Sequence, residues 1–125
     1  MDRSLYEAGK AVRTEVLGPE YVEKSLSLTD DFNKPWQDLL TEYCWGAIWT
    51  RPGLDRRTRS LLNLAMLAVL GRPHELGLHI RGALRNGATK EEIRETLMQA
   101  AVYGGVPAGV EAFRTANAVF AEQKA

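Results

Sequence analysis

The chain has 125 residues, 16 basic against 16 acidic side chains, and is 45% hydrophobic. That length and balance suit one soluble globular domain spanning 1–125, with none of the basic footprint of a nucleic-acid-binding protein. Cys44 is the only cysteine, the opening MDRSLYEAGK lacks a signal peptide's apolar core, and the apolar run 64–70 is too short for a bilayer, so a cytoplasmic protein without disulfides or membrane spans is expected.

No stretch alternates polar and apolar residues long enough for a strand, and helical punctuation is abundant, which predicts an all-α fold. A first helix covers 5–16 and stops at Gly18-Pro19; a short second one follows over 20–25. Thr29 and Asp30 cap a third helix over 31–48, with Pro35 in its first turns. The WTRPG segment breaks it, because Pro52 disfavours helical geometry at Arg51 and Gly53 lets the chain turn. Asp55 caps a fourth helix that reaches 70 and ends at Gly71. Pro73 opens a fifth, to 85, with Gly87 as its stop. Thr89-Lys90-Glu91-Glu92 is a capping box for the sixth, which turns Ile93, Leu97 and Ala100 or Ala101 to one face. After Gly104-Gly105-Val106-Pro107 a last helix runs to about 121, with Val110, Phe113 and Phe120 expected inward.

The fourth helix is unusual. From 61 to 70 its only polar residue is Asn63, so it is apolar on every side and must be covered on every side. A small domain buries only about two-thirds of its unfolded surface. Part of the cover is therefore expected from another subunit, in a homo-oligomer.

The stretch 45–87 concentrates the chemistry. It holds both histidines, two of three tryptophans and seven arginines, against only Asp55 and Glu75 as acids and no lysine. Arginine's rigid fork matches carboxylates and tolerates a partly closed site, so this segment fits a small carboxylate-bearing anion. Arg51, at the WTRPG break where a side chain can reach into a cleft, is the first candidate anchor. Arg57, at the start of the fourth helix, is second, with Arg56 and Arg59 as alternates. Arg81 lies about 200° round its helix from His79 and would have to reach round or across a subunit interface. For any single arginine the plainer reading is a surface ion pair.

On the fifth helix Leu76, Ile80, Ala83 and Leu84 form the apolar seam, while Glu75, His79, Gly82 and Asn86 make an adjacent stripe. His79 thus lies at the edge of the core, where Glu75 can orient the imidazole and raise its pKa. Spacing alone favours a structurally hydrogen-bonded histidine, with Glu75 in a solvated i,i+4 pair, over a catalytic one. His74, in the first turn, is expected to be exposed or to support residues that touch the substrate without touching it itself. Trp45 and Trp49 share one helical face; core packing is the simpler reading, and one can also wall a pocket. Tyr103 can donate a hydroxyl or merely pack. Asn63 either caps a backbone group or points into the site.

WGAIWTRPGL, RSLLNLAML, ELGLHIRGALRNGATKEEIRETL and YGGVPAGVEAF resemble, in order and spacing, the carboxymuconolactone decarboxylase family, most closely its γ-carboxymuconolactone (4-carboxymuconolactone) decarboxylases of protocatechuate breakdown. The resemblance runs over nearly the whole chain. It implies a compact ring of helical protomers, often a hexamer, and a reactive-site histidine at the LH-x-RGA position, here His79. Related disulfide-reducing peroxidases carry Cys-x-x-Cys-x-x-x-His. Aligning their histidine on His79 puts Arg72 and Glu75 where the cysteines belong, and Cys44 lies in a different helix, so that chemistry lacks its thiol pair.

The resemblance further implies decarboxylation of a lactone dicarboxylate. Two histidines and one glutamate make no reliable three-ligand metal site, GGVPAG lacks the strand and lysine of a phosphate loop, and the 45–87 segment has no lysine for a Schiff base. No cofactor is expected, so the substrate must hold the electrons. Arg51 and Arg57, with Arg81, would anchor carboxylates, Trp45 would wall the pocket, and His79 oriented by Glu75 would be the acid or oxyanion donor. The competing class is a family member that has kept the fold and lost the site, acting as a helical binding or assembly module.

Overall fold

In the computed structural model residues 3–124 are described, and every regular element among them is helical. The chain divides into two compact units, one up to Asp55 and one from Arg56 onward.

The first unit contains α1 (Arg3–Leu17), α2 (Pro19–Ser27) and α3 (Lys34–Leu39), the last continuing into a π-helical segment (Leu40–Ile48). Gly18 separates α1 from α2 in one residue at φ 96°, with Pro19 opening the next helix. Asp30 and Asn33 exchange reciprocal backbone–side-chain hydrogen bonds of 2.9 Å, the two-way pattern of a capping box. Regular α-geometry begins only at Lys34, three residues later than expected, and gives way to π-geometry at Leu40. Hydrophobic spacing is blind to that change, because both helix types return to the same face after about four residues. The segment packs on α1 at close range: a Cβ on Gly46 would stand 2.5 Å from the Leu5 carbonyl oxygen. Val12, Val16, Trp45 and Trp49 form the core here, the two indoles stacked with centroids 4.8 Å apart.

The second unit packs α4 (Arg56–Leu70), α5 (Pro73–Arg85), α6 (Lys90–Gly104) and α7 (Val106–Lys124) around one core. Leu64, Leu76, Ile80, Ile93 and Leu97 are fully buried, each stabilising the fold by roughly 1.5–3 kcal/mol relative to exposure. Gly71 stops α4 at φ +70°, and the Thr89–Glu92 capping box starts α6 as expected.

The single chain leaves part of α4 uncovered, and one expectation about α7 needs correcting. Within the chain α4 buries only Ser60, Leu64 and Ala68, while Leu62, Met66, Val69 and Leu70 are exposed. On α7 the inward stripe is Gly109, Ala112, Ala116 and Val119, small residues that let the helix approach closely. Val110 stands one position off that stripe and is exposed, whereas Phe113 and Phe120 are half-buried against the core.

Candidate active site

Helices α4 and α5 present a short polar seam to each other. Asn86, just past the end of α5, donates through Nδ2 to the Oγ of fully buried Ser60 at 3.2 Å. One and two turns away, Asn63 Nδ2 faces Nδ1 of His79 at 3.5 Å. The stripe of His79 and Asn86 therefore meets α4 through Asn63 and Ser60. Asn63, whose role the sequence leaves open, is turned to His79. Its signal was there: a lone amide in an apolar helix costs free energy unless something accepts its hydrogen bonds.

Burial pushes the His79 pKa down from 6.5 to about 4, and the nearby Glu75 carboxylate opposes this only in part. The expectation that Glu75 would leave His79 with a raised pKa is thus overturned. Glu75 is exposed, so water screens its charge, while the imidazole is half-buried and loses hydration when protonated. At neutral pH His79 is an uncharged ring that offers one N–H donor and one acceptor nitrogen. His74 is exposed.

The arginines divide by partner. Arg57 meets Glu92 in a two-pronged ion pair, Nε on Oε1 at 3.2 Å and Nη2 on Oε2, tying α4 to α6. Arg81 makes a similar fork with Glu122 of α7, 3.1 and 2.8 Å, at the surface. Hydrogen bonding from Arg81 holds the Glu122 carboxyl below its usual range. Both guanidiniums are thus engaged by carboxylates of their own unit. Arg56 and Arg59 are half-buried at the start of α4.

The remaining candidates belong to the first unit. Arg51 is exposed at the break that follows the π-helical segment, its backbone N–H donating to the Ile48 carbonyl at 3.0 Å. Trp45 is buried in that unit's core against Trp49. Burial raises the Cys44 thiol pKa, so the lone cysteine is a protonated, unreactive thiol at neutral pH. Sequence reasoning passed over Glu42. It sits on the π-helical segment, half-buried, with Oε1 shielded from water and without a hydrogen-bond partner among the described residues. π-Helical turns recur at functional sites, but neither that turn nor the carboxylate's burial is visible in hydrophobic spacing. Among the described residues no three His, Cys, Asp or Glu side chains cluster as metal ligands, and no helix is long and apolar enough to cross a membrane. Tyr103 is exposed at the end of α6.

The described residues form an all-helical fold, and sequence comparison assigns its family. Residues 34–118 match the carboxymuconolactone decarboxylase family, and the chain belongs to it. It is 44% identical to a 4-carboxymuconolactone decarboxylase of Acinetobacter baylyi over 119 residues, covering 95% of this chain and 89% of that protein. It is 50% identical to a nitrosuccinic acid decarboxylase of Metarhizium robertsii over 112 residues, covering 90% of this chain and 78% of that one. Both relatives are named as decarboxylases.

Proposed function

We propose that this protein is a cofactor-free carboxy-lyase that converts 4-carboxymuconolactone to 3-oxoadipate enol-lactone in protocatechuate catabolism. The observation that carries the reading is the 44% identity, along nearly the full length of both chains, with a decarboxylase of that substrate. In this lactone the departing carboxylate is on the ring carbon bonded to the ring oxygen, conjugated through a double bond to the lactone carbonyl. As the C–C bond breaks and carbon dioxide leaves, its electron pair moves along that system onto the lactone oxygen, giving a dienolate. A proton delivered to the carbon beside the carbonyl completes the product.

The uncharged imidazole of His79 suits an N–H donor to that developing oxyanion better than it suits a preformed imidazolium acid. Arg51, at the WTRPG break, is the arginine we assign first to the acetate side chain of the substrate, with Arg57 and Arg81 as further candidates, because the planar guanidinium fork matches a carboxylate.

The 50% identity with a nitrosuccinic acid decarboxylase supports a second reading within the same chemistry. Nitrosuccinate and the lactone share one arrangement. A carboxymethyl arm and the departing carboxylate are on the same carbon, next to a group that can take up an electron pair. In nitrosuccinate the nitro group would become the sink, as a nitronate.

The reading extends to assembly. Leu62, Met66 and Val69 on α4, Met98 and Val102 on α6, and Val106 and Val110 on α7 leave a broad apolar surface exposed in the single chain. Apolar patches of that kind mark interfaces, and a second copy of the chain is the occupant we propose, in a homo-oligomer of the hexameric kind.

The test is to offer each substrate to chelator-treated, thiol-alkylated protein and follow carbon dioxide release. Rapid turnover of the lactone and slow turnover of nitrosuccinate support the first reading. The reverse order assigns the protein to nitrosuccinate. No turnover of either, with the helical fold intact, would leave a binding or assembly module.

A further inference from the structure

Within the decarboxylase reading, we infer that Asn63 is a positioning residue: its side-chain amide, donating to Nδ1 of His79, holds the imidazole as the tautomer protonated on Nε2, so that Nε2–H is the donor offered to the substrate oxygen that gains charge.

Three observations meet here. Asn63 is the one polar residue of the 61–70 stretch, and an amide in such surroundings is stable only when hydrogen-bonded. Its Nδ2 stands 3.5 Å from Nδ1 of His79, both side chains being half-buried, a long contact of the kind that tightens when substrate closes a site. The neighbouring Asn86–Ser60 hydrogen bond, 3.2 Å, ties the last residue of the same α5 stripe to α4. Asn86 is seven residues, two turns, beyond His79, and Ser60 is three residues before Asn63. That contact pins the register in which Asn63 faces the imidazole.

The consequence is chemical. A neutral imidazole has one N–H, and an amide NH2 group facing Nδ1 can only donate, so the ring nitrogen opposite it must accept. The proton is then committed to Nε2. Glu75 acts on this ring through its charge; Asn63 contributes direction.

The two-nitrogen signature of imidazole tautomers in nitrogen-15 NMR tests this without reference to turnover, with exposed His74 as the internal comparison. In the wild-type protein at neutral pH, His79 is expected to show an unprotonated Nδ1 and a protonated Nε2. Asn63→Asp replaces the donor by an acceptor and is expected to move the proton to Nδ1. It should also lower kcat by roughly 10²–10³-fold, as for loss of one oxyanion donor, while KM changes little. Asn63→Leu, close in volume, is expected to leave the ring's tautomers mixed, with a smaller loss of kcat. A wild-type His79 protonated on Nδ1, or nitrogen shifts that Asn63→Asp leaves unchanged, would overturn the assignment. The expected tautomer in a protein that turns over neither substrate would overturn the decarboxylase reading and leave the Asn63–His79 pairing standing.

Discussion

Arg57 and Glu92 lock the first turn of α4 to the first turn of α6. The same carboxylate oxygen that accepts from Arg57 Nε also accepts the Thr89 backbone N–H at 2.9 Å and so closes the α6 capping box. Glu92 is thus shared between a helix cap and an inter-helix ion pair with Arg57. Arg57→Ala is expected to lower stability by roughly 0.5–1 kcal/mol, the worth of a partly exposed pair, and to leave KM for the lactone unchanged. Arg51→Lys is expected to do the opposite. Stability holds, while KM rises at least tenfold, because an ammonium cannot reproduce a two-pronged grip on a carboxylate. Denaturant melts and steady-state kinetics on both variants check the division. A raised KM in Arg57→Ala with unchanged KM in Arg51→Lys would reassign the anchor.

His79→Ala should lower turnover by roughly 10²–10⁴-fold, the usual worth of a positioned proton donor or oxyanion donor. Glu75→Gln should cost less, since Glu75 is exposed and acts on the ring only through its charge. The check is kcat per folded protomer, with the folded fraction taken from a melt of the same sample. Near-normal turnover in His79→Ala would make the residue structural.

The depressed His79 pKa has a stability consequence with a definite sign. In the unfolded chain the ring titrates near 6.5, in the fold near 4, so between those values the unfolded state binds more protons. Stability from this residue is complete above pH 6.5 and declines as pH falls towards 4. The full difference amounts to roughly 3 kcal/mol. Melting temperatures from pH 7 to pH 4 should fall more steeply for the wild type than for His79→Gln, which has nothing to protonate there. Parallel curves would mean the ring titrates normally.

The exposed apolar surface of α4, α6 and α7 predicts that the protein is oligomeric at low micromolar concentration. Met66→Lys, placing a charge at the middle of the α4 face, should shift the assembly to smaller species in light scattering while far-ultraviolet circular dichroism remains helical. A wild-type monomer that stays soluble would refute the assembly.

Much of the fold was legible because its signals are local. The breaks at Gly18, Gly71 and Gly87 depend on one residue's access to positive φ, and each carries a positive φ in the structure. The Thr89–Glu92 box needs only residues three apart, and it formed as written. The amphipathic period of α5 likewise put Leu76, Ile80 and Ala83 in the core and His79 at its edge.

What the tertiary structure decided depends on partners distant in sequence. Arg57 and Glu92 are 35 residues apart, and Arg81 and Glu122 are 41; no spacing rule foretells such pairs, which give two candidate anchors partners within the chain. The direction of the His79 pKa turned on competition between a charge four residues away, visible in the sequence, and the dehydration of the ring by what packs over it, which is not. The π-helical stretch and the outward turn of Val110 have the same origin. Periodicity specifies which residues can share a face, but the distance at which neighbouring helices pack selects the face that is buried.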